Sequence, residues 1–213
     1  MAYDIIFFDL DGTLIDPNLG ITKGVQHALD KFGISESIEN LKHFVGPPLH
    51  KSFHKYYGFP EKQALQAVEY YREYYIPIGM YEGTKYNGIT ELLTRLKNAN
   101  KKVSIVTSKP NFLAKEIIRF HKMDSFFEEI KGCLPDLSNA DKTTLIKEML
   151  ETRSEEKNSV VMIGDREFDI IGAKENGIDS IGVLYGYGSR EEIINAAPTH
   201  VVQSVEELEN YLV

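Results

Sequence analysis

The sequence of 213 residues predicts an α/β fold, a doubly wound and mostly parallel sheet with an inserted helical segment near its start. Short runs rich in β-branched residues alternate with helical patterns, as they do in βαβ units. The runs IIFF, VSIV and VVMI are almost continuously apolar, which is typical of strands buried on both faces. A stretch of about 65 residues without a strand pattern follows the first run and indicates the insert.

Six strands and five helices are predicted for the sheet-forming part of the chain. The strands are Asp4–Leu10, Lys102–Thr107, Glu129–Cys133, Ser159–Ile163, Ser180–Leu184 and His200–Val202. The helices are Asn87–Asn98, Asn111–Lys122, Lys142–Thr152, Glu167–Asn176 and Arg190–Ala196. Because a helix precedes each strand after the first, we expect the strands to pair in parallel, with helices on both faces of the sheet.

The inserted segment is predicted to be entirely helical. Its helices are Gly20–Phe32, Pro47–Tyr57 and Glu61–Tyr75. Prolines at the start of the second helix reduce its stability little, because the first N–H groups of a helix have no partner within the helix. We therefore expect a core domain formed by residues 1–15 and 82–213 and a helical domain formed by residues 16–81.

Composition and charge exclude several classes of protein. The net charge of -8 and the pI near 5.3 argue against a surface for nucleic acid or for an anionic membrane. No stretch approaches the ~20 apolar residues needed to cross a bilayer, and the apolar run at the N-terminus is too short for a signal peptide. The single cysteine, Cys133, excludes a disulfide within the chain and fits a reducing compartment. We expect a cytoplasmic protein without nucleic-acid or membrane partners.

Two carboxylates, Asp9 and Asp11, follow the apolar run IIFF of the first predicted strand, in the segment FFDLDGTL. Ligands of open α/β sheets bind beyond the carboxyl ends of the strands, and Asp disfavours strand interiors. Residues i and i+2 of an extended chain point to the same side, where two acids repel each other unless a cation lies near them. Carboxylate and carbonyl oxygens are the ligands that Mg²⁺ prefers. The segment therefore indicates a Mg²⁺ site, although two solvated loop acids would give the same pattern.

Polar residues also follow the later strands. Thr107 and Ser108 precede a proline near a helix start, where free N–H groups attract anions such as phosphate. Lys142 opens a helix, where its charge opposes the helix dipole, and neutralising a phosphate would explain its place. Asp165 follows the strand VVMI. Asp169 lies in the first turn of the helix that comes next, where it can cap N–H groups or support a metal. A strand-end turn, a solvated lysine and a helix cap would explain each feature alone, but together they lie on one edge of one sheet.

These four motifs, in this order along nearly the whole chain, resemble those of the haloacid dehalogenase superfamily of phosphatases, which has a Rossmann-like core. FFDLDGTL and GDREFD carry most of the resemblance, and VTSKP and the isolated Lys142 carry less. The segments FVGPPL, GDREFDIIGAKENGI and GVLYGYGSREE are similar to the phosphoglycolate-phosphatase-like subgroup, which includes 5′-nucleotidase-like bacterial enzymes. The resemblance implies that residues 16–81 form a mobile cap of the type inserted after the first strand.

The resemblance implies chemical roles for the four acids. Asp9 would attack phosphorus and form an aspartyl-phosphate, and Asp11 would protonate the leaving alcohol and then activate water. Mg²⁺ would be held by Asp9, Asp165 and the backbone carbonyl of Asp11, while Asp169 would support the metal shell. Dehalogenases of the superfamily lack the second acid of the first motif, so Asp11 favours a phosphatase or a phosphosugar mutase.

The resemblance also implies the residues that bind the substrate. Thr107 and the Ser108 backbone would hold the phosphoryl oxygens, and Lys142 would neutralise their charge. Gly46, in FVGPPL, and the nearby Lys23 are candidates for specificity, because this part of the cap often faces the active site in the family.

The substrate is expected to be a small phosphorylated metabolite, phosphoglycolate in the first place and a nucleoside monophosphate as the alternative. The protein is expected to be a monomer or a homodimer. Other functions left open are a phosphosugar mutase, a non-catalytic phospho-receiver domain and a silent binding protein. One helix carries tyrosines at i, i+4 spacing that could stack a nucleobase or pack within the cap, namely Tyr70, Tyr71, Tyr74 and Tyr75.

Overall fold

A computed structural model describes residues 3–135, 138–153 and 156–213 and confirms the predicted α/β class. Its strands are β1 Ile5–Phe8, β2 Ile15–Asp16, β3 Thr84–Lys85, β4 Lys102–Pro110, β5 Glu129–Cys133, β6 Val160–Gly164, β7 Asp179–Val183 and β8 His200–Val202. Its α-helices are α1 Asn18–Asp30, α2 Leu49–Tyr57, α3 Glu61–Tyr75, α4 Ile89–Asn98, α5 Asn111–Phe120, α6 Lys142–Glu151, α7 Glu167–Asn176, α8 Arg190–Asn195 and α9 Val205–Leu212.

The main sheet has six strands in the order β5–β4–β1–β6–β7–β8, and β2 and β3 form a separate two-stranded sheet. All neighbours in the main sheet are parallel. β1 lies between β4 and β6, with Phe8 in register with Ile105 and with Ile163. From β1, the chain therefore adds β4 and β5 on one side and then β6, β7 and β8 on the other. The carboxyl ends of β1, β4 and β6 lie side by side.

The centre of the sheet is completely buried, as the continuous apolar runs predict. All four residues of β1 have no exposed surface. One core cluster joins residues of β1, β4 and β6 to the inner faces of α6 and α7, including Leu145, Ile146 and Ala173. Burial of these apolar side chains is the main force that fixes the starts of α6 and α7 at the carboxyl edge of the sheet.

Strand β4 differs from its prediction in a way that concerns the site. It was expected to end at Thr107 but extends to Pro110, and its register with β5 shifts between these two residues. A bulge of this kind changes the direction in which side chains leave the strand. The segment from Thr107 to Lys109 is therefore part of an irregular strand end and not a simple turn.

The chain divides into two compact units, which we call the core unit, Met1–Ile15 with Lys85–Val213, and the helical unit, Asp16–Thr84. Within the helical unit, α1 packs against α3 at a close approach of Gly24 to the ring of Tyr71. Tyr71 and Tyr75 are buried and stack on each other with ring centroids 4.9 Å apart. No helix in the described ranges is both long and apolar enough to cross a membrane.

Candidate active site

The strand ends of the core unit bring three of the four motifs to one place. Asp9 follows β1 directly, Thr107 lies near the end of β4, and Asp165 follows β6. The remaining motif residues come from the helices that return to this edge, since Lys142 begins α6 and Asp169 lies in the first turn of α7. The topology thus converts five separate sequence positions into one cluster.

Three buried acids form the centre of this cluster. Asp9, Asp165 and Asp169 each offer a carboxylate oxygen, and these oxygens lie within 4.8 Å of one another. The exposed fractions are 8% for Asp9 and 1% for Asp165 and Asp169, so solvent screens their mutual repulsion poorly. Such an arrangement of oxygen donors needs compensating positive charge.

The Lys142 ammonium group supplies part of that charge. Its Nζ atom lies 2.8 Å from Oδ1 of Asp9 and 2.8 Å from Oδ1 of Asp169, and it donates a hydrogen bond to the carbonyl of Val106 at 3.0 Å. Burial lowers the pKa of Lys142, but the charges of Asp169 and Asp9 outweigh burial and raise it. Lys142 is therefore a fixed positive charge within the acid cluster, whose position at the helix start is stabilised by these contacts.

The pKa values of the acids show that the charge remains unbalanced. Burial, together with the charges of Asp9 and Asp169, raises the pKa of Asp165 to about 8. Burial also raises the pKa of Asp169, to about 6, although the neighbouring Lys142 opposes the rise. Both shifts have the sign expected for carboxylates that lack sufficient positive charge around them.

Asp11 lies outside the three-acid group and has a different partner. Its Oδ2 atom accepts a hydrogen bond from Nζ of Lys109, and the two side chains form an ion pair. The exposed fractions of these side chains are 19% for Asp11 and 7% for Lys109. Burial raises the pKa of Asp11, and the Lys109 charge opposes this rise without cancelling it. The sequence reasoning missed Lys109, although its place directly after Thr107 and Ser108 was a usable signal.

Thr107 and Ser108 are placed differently by the irregular end of β4. Thr107 is buried, and its hydroxyl oxygen accepts a hydrogen bond from the Lys109 N–H at 3.3 Å, which leaves its own proton available for donation. The Ser108 hydroxyl instead donates to the carbonyl of Ala140 at 2.7 Å, in the loop before α6. The Ser108 side chain therefore links β4 to the loop that carries Lys142.

A loop after β7 closes over Asp165 and was also missed by the sequence reasoning. The Tyr187 N–H donates to Oδ2 of Asp165 at 2.8 Å, and the Tyr185 hydroxyl donates to the carbonyl of Thr13 at 3.1 Å. A Cβ atom at Gly186 would lie 2.3 Å from Cβ of Asp165, so this position has no room for a side chain. The glycines in the segment YGYG permit this close approach, and their spacing was the available signal.

Gly12, in the first motif, also lies against Asp165. Gly12 has φ of +84°, and a Cβ atom there would lie 2.1 Å from Oδ2 of Asp165. The positive φ and the missing side chain of Gly12 allow the loop after β1 to lie against Asp165. The two glycine contacts leave the acid cluster tightly enclosed by backbone.

The residues present fit a divalent cation. The site contains four carboxylates, those of Asp9, Asp11, Asp165 and Asp169, and two ammonium groups, those of Lys109 and Lys142. With every group ionised, an excess of two negative charges remains. All of the candidate donors are hard oxygen atoms, which suit Mg²⁺ better than softer metals. The carbonyl of Asp11 as a metal ligand stays a prediction.

The candidates for specificity, Lys23 and Gly46, belong to the helical unit. Nζ of Lys23 lies 2.5 Å from Glu82, which also accepts a hydrogen bond from Tyr74 at 3.0 Å. Gly46 has φ of +106° and precedes two prolines. The role of both residues in specificity stays a prediction.

Comparison with known proteins identifies similar sequences and structures. A family model described as haloacid dehalogenase-like hydrolase matches residues 6–183. A 5′-nucleotidase of Pseudomonas aeruginosa is 41% identical over 100% of this chain and 96% of its own length. The tyrosine-protein kinase PtkA of Mycobacterium tuberculosis is 35% identical over 93% of this chain and 67% of its own length.

Two further matches bear on the predicted subgroup and fold. A phosphoglycolate phosphatase of Vibrio parahaemolyticus is 26% identical over 96% of this chain and 93% of its own length. A crystal structure of a predicted phosphatase from Clostridium acetobutylicum has a TM-score of 0.93 and 42% identity, covering 100% of this chain and 99% of that one. The fold and the family resemblance predicted from the motifs are confirmed by these matches.

Proposed function

Because this chain belongs to the haloacid dehalogenase-like hydrolase family and is a phosphoric monoester hydrolase, we propose that it cleaves small phosphate esters through an aspartyl-phosphate on Asp9, with Mg²⁺ as cofactor. The observation that carries the proposal is the buried cluster in which Lys142 lies 2.8 Å from both Asp9 and Asp169. A nucleophilic carboxylate can approach an anionic phosphate only where positive charge offsets their repulsion.

The first chemical step forms the intermediate. A carboxylate oxygen of Asp9 attacks phosphorus, the bond from phosphorus to the ester oxygen breaks, and a proton moves from Asp11 to the leaving alcohol. The raised pKa of Asp11 supports its role as the acid, because a proton is held there more readily than on an ordinary aspartate. Lys142 neutralises the phosphoryl group, and the Thr107 hydroxyl and the Ser108 N–H donate hydrogen bonds to its oxygens.

The second step returns the enzyme to its starting state. Water attacks phosphorus while Asp11 takes its proton, and the bond between Asp9 and phosphorus breaks to release inorganic phosphate. Asp9, Asp165 and the Asp11 carbonyl would hold the Mg²⁺ ion, and Asp169 would keep Lys142 and the start of α7 in place. The ion, when bound, supplies positive charge that offsets the charge on the phosphoryl oxygens.

Nucleoside 5′-monophosphates are the substrate class that we place first. The relative named 5′-nucleotidase is 41% identical over the whole chain, whereas the one named phosphoglycolate phosphatase is 26% identical. This reverses the order expected from the motifs, with phosphoglycolate as the second candidate. We also propose that the helical unit acts as a mobile cap domain, with Lys23 and Gly46 contributing to specificity.

The proposal is tested by a phosphate-release screen with Mg²⁺, comparing nucleoside 5′-monophosphates, phosphoglycolate and 4-nitrophenyl phosphate. We expect Mg²⁺-dependent release that is lost on chelation and in Asp9→Asn, with the nucleotides preferred. Full activity of Asp9→Asn would refute the mechanism, whereas a preference for phosphoglycolate would change only the substrate. Transfer of phosphate from ATP to a protein tyrosine without release from the esters would favour the activity named for PtkA.

A further inference from the structure

Lys109 and Asp11 form a contact across the candidate site that none of the four motifs predicts. They are 98 residues apart in sequence, and the Lys109 ammonium group contacts Oδ2 of Asp11. Both side chains are largely withdrawn from solvent, with 7% of the lysine side chain and 19% of the aspartate side chain exposed. Exposed ion pairs often have no measurable effect, but a pair enclosed in this way restricts both partners to one geometry.

The two oxygens of Asp11 differ in their surroundings. Oδ2 is taken by Lys109, while Oδ1 is buried and has no hydrogen-bond partner among the described residues. A buried carboxylate oxygen without a partner is costly, and such atoms occur where a ligand or a reacting group completes the site. The pairing therefore leaves one defined oxygen for the reaction.

The backbone of Lys109 is itself held in place. Its N–H donates to the Thr107 hydroxyl at 3.3 Å, at the irregular end of β4. On the other side, β5 lies so close that a Cβ atom at Gly132 would be 2.5 Å from the Lys109 carbonyl oxygen. These contacts fix the root of the lysine side chain, which then reaches Asp11 from a rigid position.

We propose that Lys109 is a positioning residue that holds Asp11 by one carboxylate oxygen and presents the other to the leaving group. Its ammonium group fixes the direction in which Asp11 transfers the proton, and it does not contact the reacting atoms. This inference rests on the proposed function, since it assigns to Lys109 the orientation of the acid in that reaction. Proton transfer by a well-placed acid contributes about 10²–10⁴-fold to a rate. Loss of the orientation of Asp11 should therefore lower the rate of the first step by a measurable part of that factor.

The test compares two esters in rapid-mixing experiments with Mg²⁺ and the full chain. The first step is followed as the burst of alcohol or phenol released before steady state. Nitrophenolate leaves without protonation, whereas the alkoxide of a nucleoside 5′-monophosphate needs a proton. For Lys109→Met we expect the first step to slow about 10- to 100-fold with the nucleotide and by less than about 3-fold with 4-nitrophenyl phosphate.

Two further variants separate orientation from other effects. Lys109→Arg keeps a cation at this place and should recover most of the rate with the nucleotide. Lys115→Met removes an exposed lysine from α5 in the same unit and should leave both rates unchanged. Thermal unfolding of each variant shows whether the fold is kept.

The outcomes are distinguishable from those of the proposed function. Equal losses with both esters, or a rise in KM with an unchanged first step, would overturn the role of Lys109 while leaving the phosphatase mechanism intact. A wild-type protein without turnover of either ester would overturn both. A larger loss with the nucleotide than with the aryl ester, and its recovery in Lys109→Arg, would support the inference.

Discussion

Replacing Asp165 with asparagine should stabilise the metal-free protein while removing its response to Mg²⁺. The carboxylate of Asp165 is 1% exposed, and burial and the charges of Asp9 and Asp169 raise its pKa from 3.8 to about 8. The pKa in the folded state is thus above the unfolded value, and the folded state holds a proton that the unfolded state has lost. The contribution of Asp165 to stability without metal is therefore greatest below about pH 4 and is lost as the pH rises from about 4 to about 8.

The size of the effect follows from the shift. At pH 7, about three pH units above the unfolded value, keeping Asp165 protonated costs about 4 kcal/mol, and at pH 5 it costs about 2 kcal/mol. This is a large part of the ~5–15 kcal/mol by which domains are stable. Asparagine keeps an acceptor for the Tyr187 N–H and carries no charge, so the cost disappears.

Urea unfolding in EDTA at pH 5, 7 and 8 measures this difference. We expect Asp165→Asn to exceed the wild type by up to about 4 kcal/mol at pH 7 and by less at pH 5. Mg²⁺ binds only the folded site, so it should stabilise the wild type. It should have little effect on the variant, because the variant lacks the Asp165 carboxylate. Asp124→Asn, which changes an exposed acid, is the control and should show no difference. Equal stability of Asp165→Asn and wild type at every pH, or equal stabilisation by Mg²⁺, would refute the reasoning.

Two other substitutions test the surroundings of the acids. Lys142→Met leaves the Asp9 and Asp169 carboxylates without their ammonium partner. We therefore expect the free energy of unfolding in urea to fall by about 3–5 kcal/mol and the rate of phosphate release to fall at least about 10³-fold. A variant with normal stability and turnover would contradict the role of Lys142. Gly186→Ala places a methyl group 2.3 Å from Cβ of Asp165, so the Mg²⁺ concentration for half-maximal activity should rise at least about 10-fold. Its control is Gly177→Ala, where φ is +69° but space is open, which should cost about 1 kcal/mol of stability and leave the Mg²⁺ requirement unchanged.

The fold was predictable because its signals are local. Continuous apolar runs located the strands, and β5, β8 and α7 have the predicted bounds. Once the strands are parallel, residues that follow them must meet at one edge, so the convergence of Asp9, Asp165 and Lys142 could be foreseen without knowledge of any contact.

The parts that were missed depend on packing between distant segments. The direction of the Lys109 side chain depends on the bulge after Thr107, which arises from pairing with β5 and has no pattern in the sequence. The loop at Tyr185 and Tyr187 reaches Asp165 because glycines let the backbones approach. The spacing of these glycines in the sequence indicates a close approach but does not tell which residue is approached. The tyrosines of α3 were left open between stacking and packing, and Tyr71 and Tyr75 pack within the helical unit.

Trapping of the phosphoenzyme is the most direct test of Asp9 as the nucleophile. The variant Asp11→Asn, which lacks the base for the second step, is mixed with a ³²P-labelled aryl phosphate and Mg²⁺ and then quenched in acid. We expect label that is stable in acid and labile to hydroxylamine, as an acyl phosphate is, in the peptide that contains Asp9, and none when Asp9 is also changed to Asn. Phosphate release without any labelled protein, or label on a peptide that lacks Asp9, would contradict the mechanism.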